Sequence, residues 1–299
     1  MRILITGALG YLGCELLCQL SNCPNIQVIG IDNDTTAFKA RAGLFSRFEN
    51  INLYNVDIRD LSSLRSLPKV DLIIHLAAIV GYISCANTPI DCHSVNIVGT
   101  DNIAKLSTPI LFFSSGSVYG DLGADCTEDS FTNPQTLYSL SKLQGEHLIK
   151  DVPNVVLRPA TVYGVGAKVR DDLLVHTLVT EAIEKGTINL YQPTAMRSFY
   201  SLRKIANLCV DIVHNFENYE GEVVNVGCES SNITKLGLVQ EIQKHIPTNL
   251  EIIPGADLDT RDYQVSYAKL ASLWVDYNDN FSNNLPEVIK YYNTRNPYE

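Results

Sequence analysis

The sequence predicts an α/β fold built on a doubly wound parallel sheet, with a smaller lobe interleaved in the C-terminal half. Three observations lead to this prediction: short apolar runs alternate with helix-length segments up to Gly164, a glycine-rich turn follows the first run, and the alternation then stops. Strands that are joined by right-handed helical crossovers pair in parallel. We therefore expect a ligand site at the carboxyl ends of the strands.

The predicted strands are short and almost wholly apolar, which is typical of strands buried on both faces of a sheet. They cover residues 2–6, 27–32, 52–56, 72–75, 110–114 and 155–158. Apolar residues at helical spacing predict helices over 11–20 and 89–105. These elements supply the strands and crossovers of the first domain.

The second half predicts fewer elements in a less regular order. They are a helix over 173–185, a strand over 188–190, a strand over 223–226 and a helix over 235–245. We expect residues 1–165 to form the sheet domain, which also receives residues around 198–228. Residues 166–299 are expected to form mainly a smaller lobe that closes over the strand ends.

Composition limits the classes of protein. The chain has 299 residues, of which 45% are hydrophobic, so it can bury a full core without disulfide bonds. A net charge of −10 argues against a nucleic-acid partner, because phosphate binding needs a concentrated basic face. With neither a signal peptide nor a membrane span in the sequence, we expect a cytoplasmic protein.

The 8 cysteines are scattered, without a CxxC pair or a cluster of histidines at zinc spacing. We interpret them as reduced thiols that serve as small apolar residues. No metal site is predicted.

The glycine-rich turn, GALGYLG, contains Gly7, Gly10 and Gly13 between the first strand and the first helix. Glycine at this junction lets the backbone approach a pyrophosphate, and the helix amino terminus offers N–H groups and a positive dipole. A glycine pattern alone is a weak signal, but its position between a strand and a helix predicts a dinucleotide site.

Asp32 ends the second strand, where a carboxylate can accept both hydroxyls of the adenosine ribose and repel a 2′-phosphate. This favours NAD over NADP. Lys39 and Arg41 follow closely and leave open a contact with a phosphate.

Other acidic residues have two interpretations. Asp57 follows the third strand, where it could contact the adenosine or cap the helix ahead of Leu61. Asp171 and Asp172 could bind sugar hydroxyls, although a cap on the following helix is the favoured interpretation.

Tyr138 and Lys142, in the segment YSLSK, are separated by one helical turn and so project from one face of a helix. An ammonium group beside a phenol favours the phenolate, which makes the pair a plausible general acid and base for alcohol oxidation or ketone reduction. The segment FFSSGSVYG ends a predicted buried strand and could bring Ser115 or Ser117 beside the tyrosine.

Further motifs occur in the same order as in a known family. They are HLAA at 75–78, VNIVGT at 95–100, LRPATVYG at 157–164 and VVNVG at 223–227. With the motifs above, the chain resembles the extended short-chain dehydrogenases/reductases, and among them the NAD-dependent nucleotide-sugar epimerase/dehydratase family. The resemblance covers nearly the whole chain, and it implies a Rossmann-type fold, NAD as the cofactor and a nucleotide-sugar as the substrate.

The resemblance also implies roles for particular residues. Catalysis would fall to Tyr138, Lys142 and Ser115. The residues implied in cofactor binding are Gly7, Gly10, Tyr11, Leu12, Gly13, Asp32, Asp57, Ile58, Leu76, Ala77, Ala78 and Lys142. Those implied in substrate binding are Val80, Ser115, Gly116, Ser117, Tyr138, Thr161, Arg197 and Arg261.

One departure from the family separates the possible reactions. Sugar 4,6-dehydratases carry an acidic pair where this chain has Gly116 and Ser117, so dehydration is disfavoured. The leading hypothesis is hydride removal from C4 of a nucleotide sugar, with Tyr138 as the base. Return of the hydride to the other face would give an epimerase, and release of the ketone a dehydrogenase or, in reverse, a 4-ketoreductase.

Two further expectations follow from the resemblance. A non-catalytic NAD-binding sensor is a less favoured alternative, because such proteins often lose the Tyr or Lys that this chain keeps. A homodimer is expected through the helices that carry Tyr138 and Val95, which pair in many relatives.

Overall fold

The computed structural model describes residues 1–122, 125–255 and 264–295. Two compact units emerge from the contacts within the chain. The first comprises Met1–Val118, Pro134–Arg158 and Ala206–Val224. The second comprises Tyr119–Asn133, Pro159–Ile205 and the chain from Asn225 onward. The chain thus passes between the units several times, and the functions assigned to the two predicted domains remain predictions.

The strands of the structure form one large sheet and three small ones. They are β1 Arg2–Thr6, β2 Gln27–Asp32, β3 Ile51–Asn55, β4 Leu72–His75, β5 Ile110–Phe113, β6 Asp125–Cys126, β7 Asn154–Pro159, β8 Thr161–Tyr163, β9 Thr187–Leu190, β10 Met196–Ser201, β11 Val223–Val226, β12 Asn232–Thr234, β13 Asn249–Ile252 and β14 Gln264–Val265. The large sheet is mostly parallel and has seven strands in the order β11-β7-β5-β4-β1-β2-β3. The predicted doubly wound, Rossmann-type sheet is confirmed.

The α-helices of the described residues flank these strands. They are α1 Tyr11–Leu20, α2 Thr35–Phe45, α3 Leu61–Ser66, α4 Tyr82–Asn87, α5 Pro89–His93, α6 Thr100–Ala104, α7 Leu137–Leu148, α8 Leu174–Lys185, α9 Leu202–His214, α10 Lys235–Gln243, α11 Ala268–Leu273 and α12 Phe281–Thr294. None of the described helices is long and apolar enough to cross a lipid bilayer.

Two sequence-based expectations need correction. The third strand is not buried on both faces: Ile51 is buried, but Tyr54 is 40% exposed, because β3 lies at the edge of the sheet. The helix predicted over 89–105 is interrupted by a π-helical segment, Ser94–Gly99, between α5 and α6. A π-helical turn contains one residue more than an α-helical turn and is frequently found at functional sites.

The core of the first unit packs the helices against the parallel strands. Leu4, Ile73, Phe112 and Val156 belong to one buried cluster beside the sheet. Burying a side chain of this size removes apolar surface from water and contributes about 1.5–3 kcal/mol. This core gives the strand ends a rigid base.

The second unit has its own core around three aromatic rings. The Tyr163 ring lies 4.8 Å from that of Phe281, and the Phe199 ring lies 5.5 Å from it. A three-stranded sheet in the order β12-β10-β8 supplies two of these rings.

Candidate active site

The glycine-rich turn between β1 and α1 has no room for side chains. Gly7 has φ +68°, and a Cβ atom there would lie 2.9 Å from the backbone nitrogen of Ala77. A Cβ atom on Gly13 would lie 2.3 Å from the carbonyl oxygen of Gly7. Glycine is required at both positions because the turn folds tightly against the start of α1 and the end of β4.

The amino terminus of α1 suits an anion. Its N-cap residue is Gly10, so no side-chain cap competes for the amide groups of the first turn. Tyr11 and Leu12 begin the helix and are half-buried. The pyrophosphate of a dinucleotide would fit this helix end, where amides and dipole favour negative charge.

The Asp32 carboxylate is oriented by two backbone amides. It accepts a hydrogen bond from Leu9 N at 3.0 Å and another from Asp34 N at 3.1 Å. A carboxylate has about four acceptor sites, so two hydroxyls of a ribose can still be accommodated. Arg41, one of the two cations that could contact a phosphate, donates from Nε to the Leu9 carbonyl at 3.1 Å.

The two interpretations of Asp57 are separated by its neighbour Asp60. Asp60 is the N-cap of α3 and accepts from the amides of Ser62 and Ser63. The Asp57 carboxylate instead accepts from the Arg59 guanidinium at 2.6 Å, and from Asn33 Nδ2 at 2.9 Å. These bonds, that of Arg59 first, lower the pKa of Asp57 to about 2. Asp57 is therefore not the helix cap.

The segment after β4 returns to the glycine turn. Leu76 N and Ala77 N both donate to Thr6 Oγ1, each at 3.1 Å. Leu76, Ala77 and Ala78 are half-buried, and Val80 is 39% exposed. Ile58 differs from this group because it is buried: a Cβ atom on Gly99 would lie 2.4 Å from its Cδ1 atom. The structure thus brings Gly7, Leu76 and Ala77 together, whereas Ile58 belongs to the core.

Helix α7 carries both Tyr138 and Lys142. Its start is defined by a capping box in which Thr136 and Ser139 satisfy each other's backbone amides. Tyr138 is half-buried, whereas Lys142 is only 5% exposed. The ammonium nitrogen of Lys142 lies 4.7 Å from the centre of the Phe112 ring.

The charge of Lys142 is balanced by its surroundings. Burial lowers the pKa of the ammonium group to about 8, and the Glu146 carboxylate opposes this shift. Glu146 is itself held by the buried guanidinium of Arg158, at 2.7 Å, and by a hydrogen bond from Ser114. A buried cation whose pKa is shifted by burial and by a specific charged neighbour marks a candidate functional site.

Ser115 is arranged as a hydrogen-bond donor. Its Oγ atom accepts from Ser117 N at 3.2 Å and from Ser117 Oγ at 2.8 Å. A hydroxyl has two acceptor sites and one proton, so the Ser115 proton is directed to another acceptor. Gly116 lies between them in a short 3₁₀ turn and is buried.

The remaining predicted substrate residues lie in the second unit or outside the described residues. Thr161 on β8 pairs with Phe199, two residues beyond Arg197 on β10. The Arg197 side chain is 6% exposed and donates to the Met196 carbonyl at 2.7 Å. Arg261 lies outside the described residues.

Neither Asp171 nor Asp172 caps a helix. The N-cap of α8 is Leu173, without a side-chain bond, so the favoured interpretation was wrong. Asp171 accepts from Tyr292 at 2.6 Å, and Asp172 pairs with Arg170.

Sequence reasoning did not assign roles to three residues beside this site: His75, Phe112 and Glu146. His75 was visible in the HLAA motif, and Glu146 stands one turn after Lys142. Phe112 had no signal of its own, because one aromatic residue in a buried strand resembles any core residue.

Comparison with known proteins identifies the family. Residues 3–227 match the model of the NAD dependent epimerase/dehydratase family. This chain belongs to that family, and the expectation of an NAD-dependent enzyme is confirmed.

Individual relatives are similar to most of the chain. An uncharacterized UDP-glucose epimerase, YtcB of Bacillus subtilis, is 29% identical over 81% of this chain and 82% of its own. A GDP-6-deoxy-D-talose 4-dehydrogenase of Aggregatibacter actinomycetemcomitans is 28% identical over 76% of this chain and 74% of its own. The structure of a UDP-glucuronic acid 4-epimerase from Bacillus cereus, in complex with UDP-glucuronic acid and NAD, has a TM-score of 0.85 and 25% identity, covering 98% and 99% of the two chains.

Proposed function

We propose that this enzyme oxidises C4 of a nucleotide-activated sugar and returns the hydride to the opposite face, which makes it a 4-epimerase. One observation carries the proposal: the buried ammonium group of Lys142 lies over Phe112, one helical turn from Tyr138. A cation held in this way favours the phenolate form of a neighbouring tyrosine.

The roles of the residues follow from their chemistry. Tyr138 takes the proton of the C4 hydroxyl and returns it after the sugar has turned. Ser115 donates its free proton to the reacting oxygen, since its two acceptor sites are filled by Ser117. Lys142 stabilises the phenolate and would contact the nicotinamide ribose of bound NAD.

NAD would be held by the glycine turn, the amino terminus of α1 and Asp32, and when bound it would supply the acceptor and donor of the hydride. We infer NAD rather than NADP because Asp32 is fixed by the Leu9 and Asp34 amides, and a carboxylate there repels a 2′-phosphate. Asp57 follows β3, the strand next to β2, and accepts a hydrogen bond from Asn33, which follows Asp32. At this position Asp57 would contact the adenosine.

Two relatives support action at C4 in different ways. The Bacillus cereus neighbour is a 4-epimerase and binds UDP-glucuronic acid, which favours epimerisation and a UDP-sugar. The Aggregatibacter relative is a 4-dehydrogenase, which favours the second candidate, a dehydrogenase or 4-ketoreductase with net redox change. An epimerase and a 4-dehydrogenase share their first half-reaction, the oxidation of C4, so the same residues of this chain would carry it in either enzyme.

The deciding experiment incubates the enzyme with NAD and a panel of UDP-, GDP-, dTDP- and CDP-sugars, with NADH absorbance and sugar NMR followed together. We expect a 4-epimer without net NADH. Stoichiometric NADH with a ketosugar would overturn the epimerase proposal in favour of the dehydrogenase. NAD binding without turnover of any sugar would contradict both and favour the sensor.

The variant Tyr138→Phe tests the base directly. We expect turnover to fall by about 100-fold or more, which is the usual contribution of a general base, while NAD still binds. Tyr54→Phe, at a tyrosine that is 40% exposed on β3, is the matched control and should keep full activity. Equal activity of the Tyr138 variant would exclude this residue as the base.

We further infer a homodimer that forms through α4, α5, α7 and the π-helical segment. Ile83, Ile90, Val98, Leu137 and Leu140 on these elements are 53%, 83%, 41%, 48% and 42% exposed. The helices α4 and α5 both pack against α7, so these apolar side chains belong to neighbouring elements of one unit. Exposed apolar groups of this kind mark contact surfaces.

Light scattering tests the dimer. We expect twice the chain mass of 33.1 kDa, and a shift toward one chain mass for Ile90→Asp. Val275→Asp, at a valine that is 94% exposed in the second unit, should leave the dimer unchanged. A single chain mass for the unmodified protein at working concentration would rule the dimer out. A cytoplasmic location remains a prediction.

A further inference from the structure

His75 lies at the carboxyl end of β4, and its ring lies between Thr6 on β1 and Thr100 on α6. The side chain is 1% exposed, and both ring nitrogens have hydroxyl partners. Nδ1 lies 2.7 Å from Thr6 Oγ1, and Nε2 lies 3.0 Å from Thr100 Oγ1. Thr6 ends β1 and is the direct partner of His75 in the parallel pairing of β1 with β4.

Counting donors and acceptors determines the direction of these bonds. Thr6 Oγ1 accepts from Leu76 N and Ala77 N, which fills both acceptor sites, so its proton must go to His75 Nδ1. Nδ1 is then an acceptor, and a neutral imidazole carries its proton on Nε2. Nε2–H donates to Thr100 Oγ1, whose proton is given to the Asn96 carbonyl at 2.7 Å.

The chain of bonds continues to the catalytic helix. Asn96 lies in the π-helical segment, and its side chain accepts from Ile79 N at 2.8 Å and donates to Ser141 Oγ at 2.9 Å. Ser141 in turn donates to the Tyr138 carbonyl at 2.8 Å. Buried bonds of this kind hold one arrangement, because breaking any of them leaves a polar group without a partner in a low-dielectric interior.

We propose that His75, fixed as the neutral Nε2–H form between Thr6 and Thr100, is a positioning residue that couples the glycine turn of the cofactor site to the helix carrying Tyr138 and Lys142. At one end, Thr6 holds Leu76 and Ala77 against Gly7. At the other, Thr100 and Asn96 hold the π-helical segment against Ser141. The catalytic part of this role rests on the proposed function, whereas the coupling to NAD binding rests only on the family and the bonds described.

The form of the imidazole is tested by long-range ¹H–¹⁵N NMR of the NAD-bound enzyme, labelled with ¹⁵N-histidine. The chain has 6 histidines, and His75→Gln assigns the signal by its loss. We expect a protonated Nε2 and an unprotonated Nδ1 at pH 7. An Nδ1–H form or a charged ring at pH 7 would overturn the proposal, and this result does not depend on any sugar substrate.

The coupling is tested by a double-mutant cycle of Thr6→Val and Thr100→Val, with the dissociation constant of NAD as the readout. We expect each single variant to weaken NAD binding about 5–10-fold, and the double variant hardly more than either one, because each change breaks the same chain of bonds. Thr88→Val is the matched control, since its hydroxyl also donates to the carbonyl four residues earlier, but at an exposed site. Independent effects that multiply in the double variant would contradict the coupling.

Conservative variants separate positioning from folding. Thr6→Ser and Thr100→Ser keep the hydroxyls and should retain NAD affinity within about twofold, even where a valine variant fails to fold. With the active sugar, Thr100→Val should lower kcat more than it raises the KM of the sugar. If the two valine variants have multiplicative effects on NAD affinity in an enzyme that epimerises a sugar, the coupling through His75 is refuted and the proposed function stands. If their effects are not additive but no sugar is turned over, the coupling stands and the proposed function is refuted.

Discussion

The ammonium nitrogen of Lys142 on α7 lies 4.7 Å from the centre of the Phe112 ring on β5, so a strand of the sheet supports the buried cation of this helix. Gly145 allows this approach: a Cβ atom there would lie 2.4 Å from the Phe112 Cζ atom. An aromatic face attracts a cation that has lost its water, which compensates part of the cost of burial. The absence of a side chain at Gly145 thus lets α7 pack close enough to β5 for the Lys142 ammonium group to lie over the Phe112 ring.

Phe112→Leu should shift the alkaline limb of the pH–rate profile to lower pH. The ring favours the charged form, so its loss should lower the pKa of Lys142 below about 8, and the ammonium group then disappears at lower pH. A cation–π contact of about 0.5–2 kcal/mol changes the acid dissociation constant about 2–30-fold. Because about half of the group is charged at pH 8 before the change, the rate at that pH should fall about 2–15-fold. Phe113→Leu is the control on the same strand, and an equal shift in both variants would refute the specific role of Phe112.

Glu146→Gln should lower both the free energy of unfolding and the pKa of Lys142. It removes the carboxylate that raises the pKa of Lys142, and it breaks the ion pair of that carboxylate with the Arg158 guanidinium, whose side chain is 7% exposed. Breaking a buried pair in this way costs about 3–5 kcal/mol of unfolding free energy. Urea unfolding measures this, with Asp101→Asn in the exposed Lys105 pair as a control expected to cost about 0.5 kcal/mol or less. Similar losses of unfolding free energy in the two variants would mean that the buried ion pair stabilises the fold no more than the exposed one.

Gly13→Ala and Gly43→Ala should have opposite effects. At Gly13 the added carbon would meet the Gly7 carbonyl at 2.3 Å, so we expect loss of NAD binding and a lower unfolding midpoint. Gly43 lies inside α2 with nothing within 4 Å of the added carbon, and alanine there should stabilise the helix by about 0.5–1 kcal/mol. Calorimetry and NAD titration measure both, and unchanged NAD affinity in the Gly13 variant would contradict the assigned cofactor site.

Asp32→Asn should narrow the preference for NAD over NADP. The amide removes the charge that would repel a 2′-phosphate, while its size still allows contact with the Leu9 amide. We expect the ratio of the two dissociation constants to fall at least about 10-fold, which is about 1.4 kcal/mol. Fluorescence titration with both cofactors measures this ratio. Asp34→Asn is the neighbouring control, and an equal fall in that variant would show a general charge effect.

Acidification should destabilise the enzyme through two buried histidines. Burial is the main cause that lowers the pKa of His75 to about 3 and that of His176 to about 4, from an ordinary 6.5. Between these values and pH 6.5 the unfolded chain binds protons that the folded chain does not, so stability falls as the pH decreases through that window. Urea midpoints at pH 7 and pH 5 measure the loss, which His176→Gln should reduce and the exposed His147→Gln should not. A midpoint that rises toward pH 5 would contradict this prediction.

Local patterns in the sequence were sufficient for the sheet, the glycine turn and the placement of Tyr138 and Lys142 on one helix. Apolar runs report burial, and a glycine between a strand and a helix reports a turn that side chains cannot enter, so both are visible in a few neighbouring residues. The β2, β4 and β11 bounds at 27–32, 72–75 and 223–226 agree with the predicted ones.

The surroundings of these residues depended on contacts between distant parts of the chain. Apolar character alone did not show that β3 is an edge strand, because strand order is a property of the whole sheet. The hydrogen bond from Asn33 to Asp57 likewise joins residues 24 positions apart, which meet because they follow the paired strands β2 and β3.

The sequence by itself determined the class of fold, the glycine-rich turn and the helix that carries Tyr138 and Lys142, because each depends on local periodicity and spacing. Only the tertiary structure decided which hydroxyl groups contact the His75 ring and which groups surround Lys142. Thr6 and His75 are 69 residues apart in the chain and meet only because their strands pair. The pKa of a group follows the burial and charges that such long-range packing creates, and no short stretch of sequence contains them.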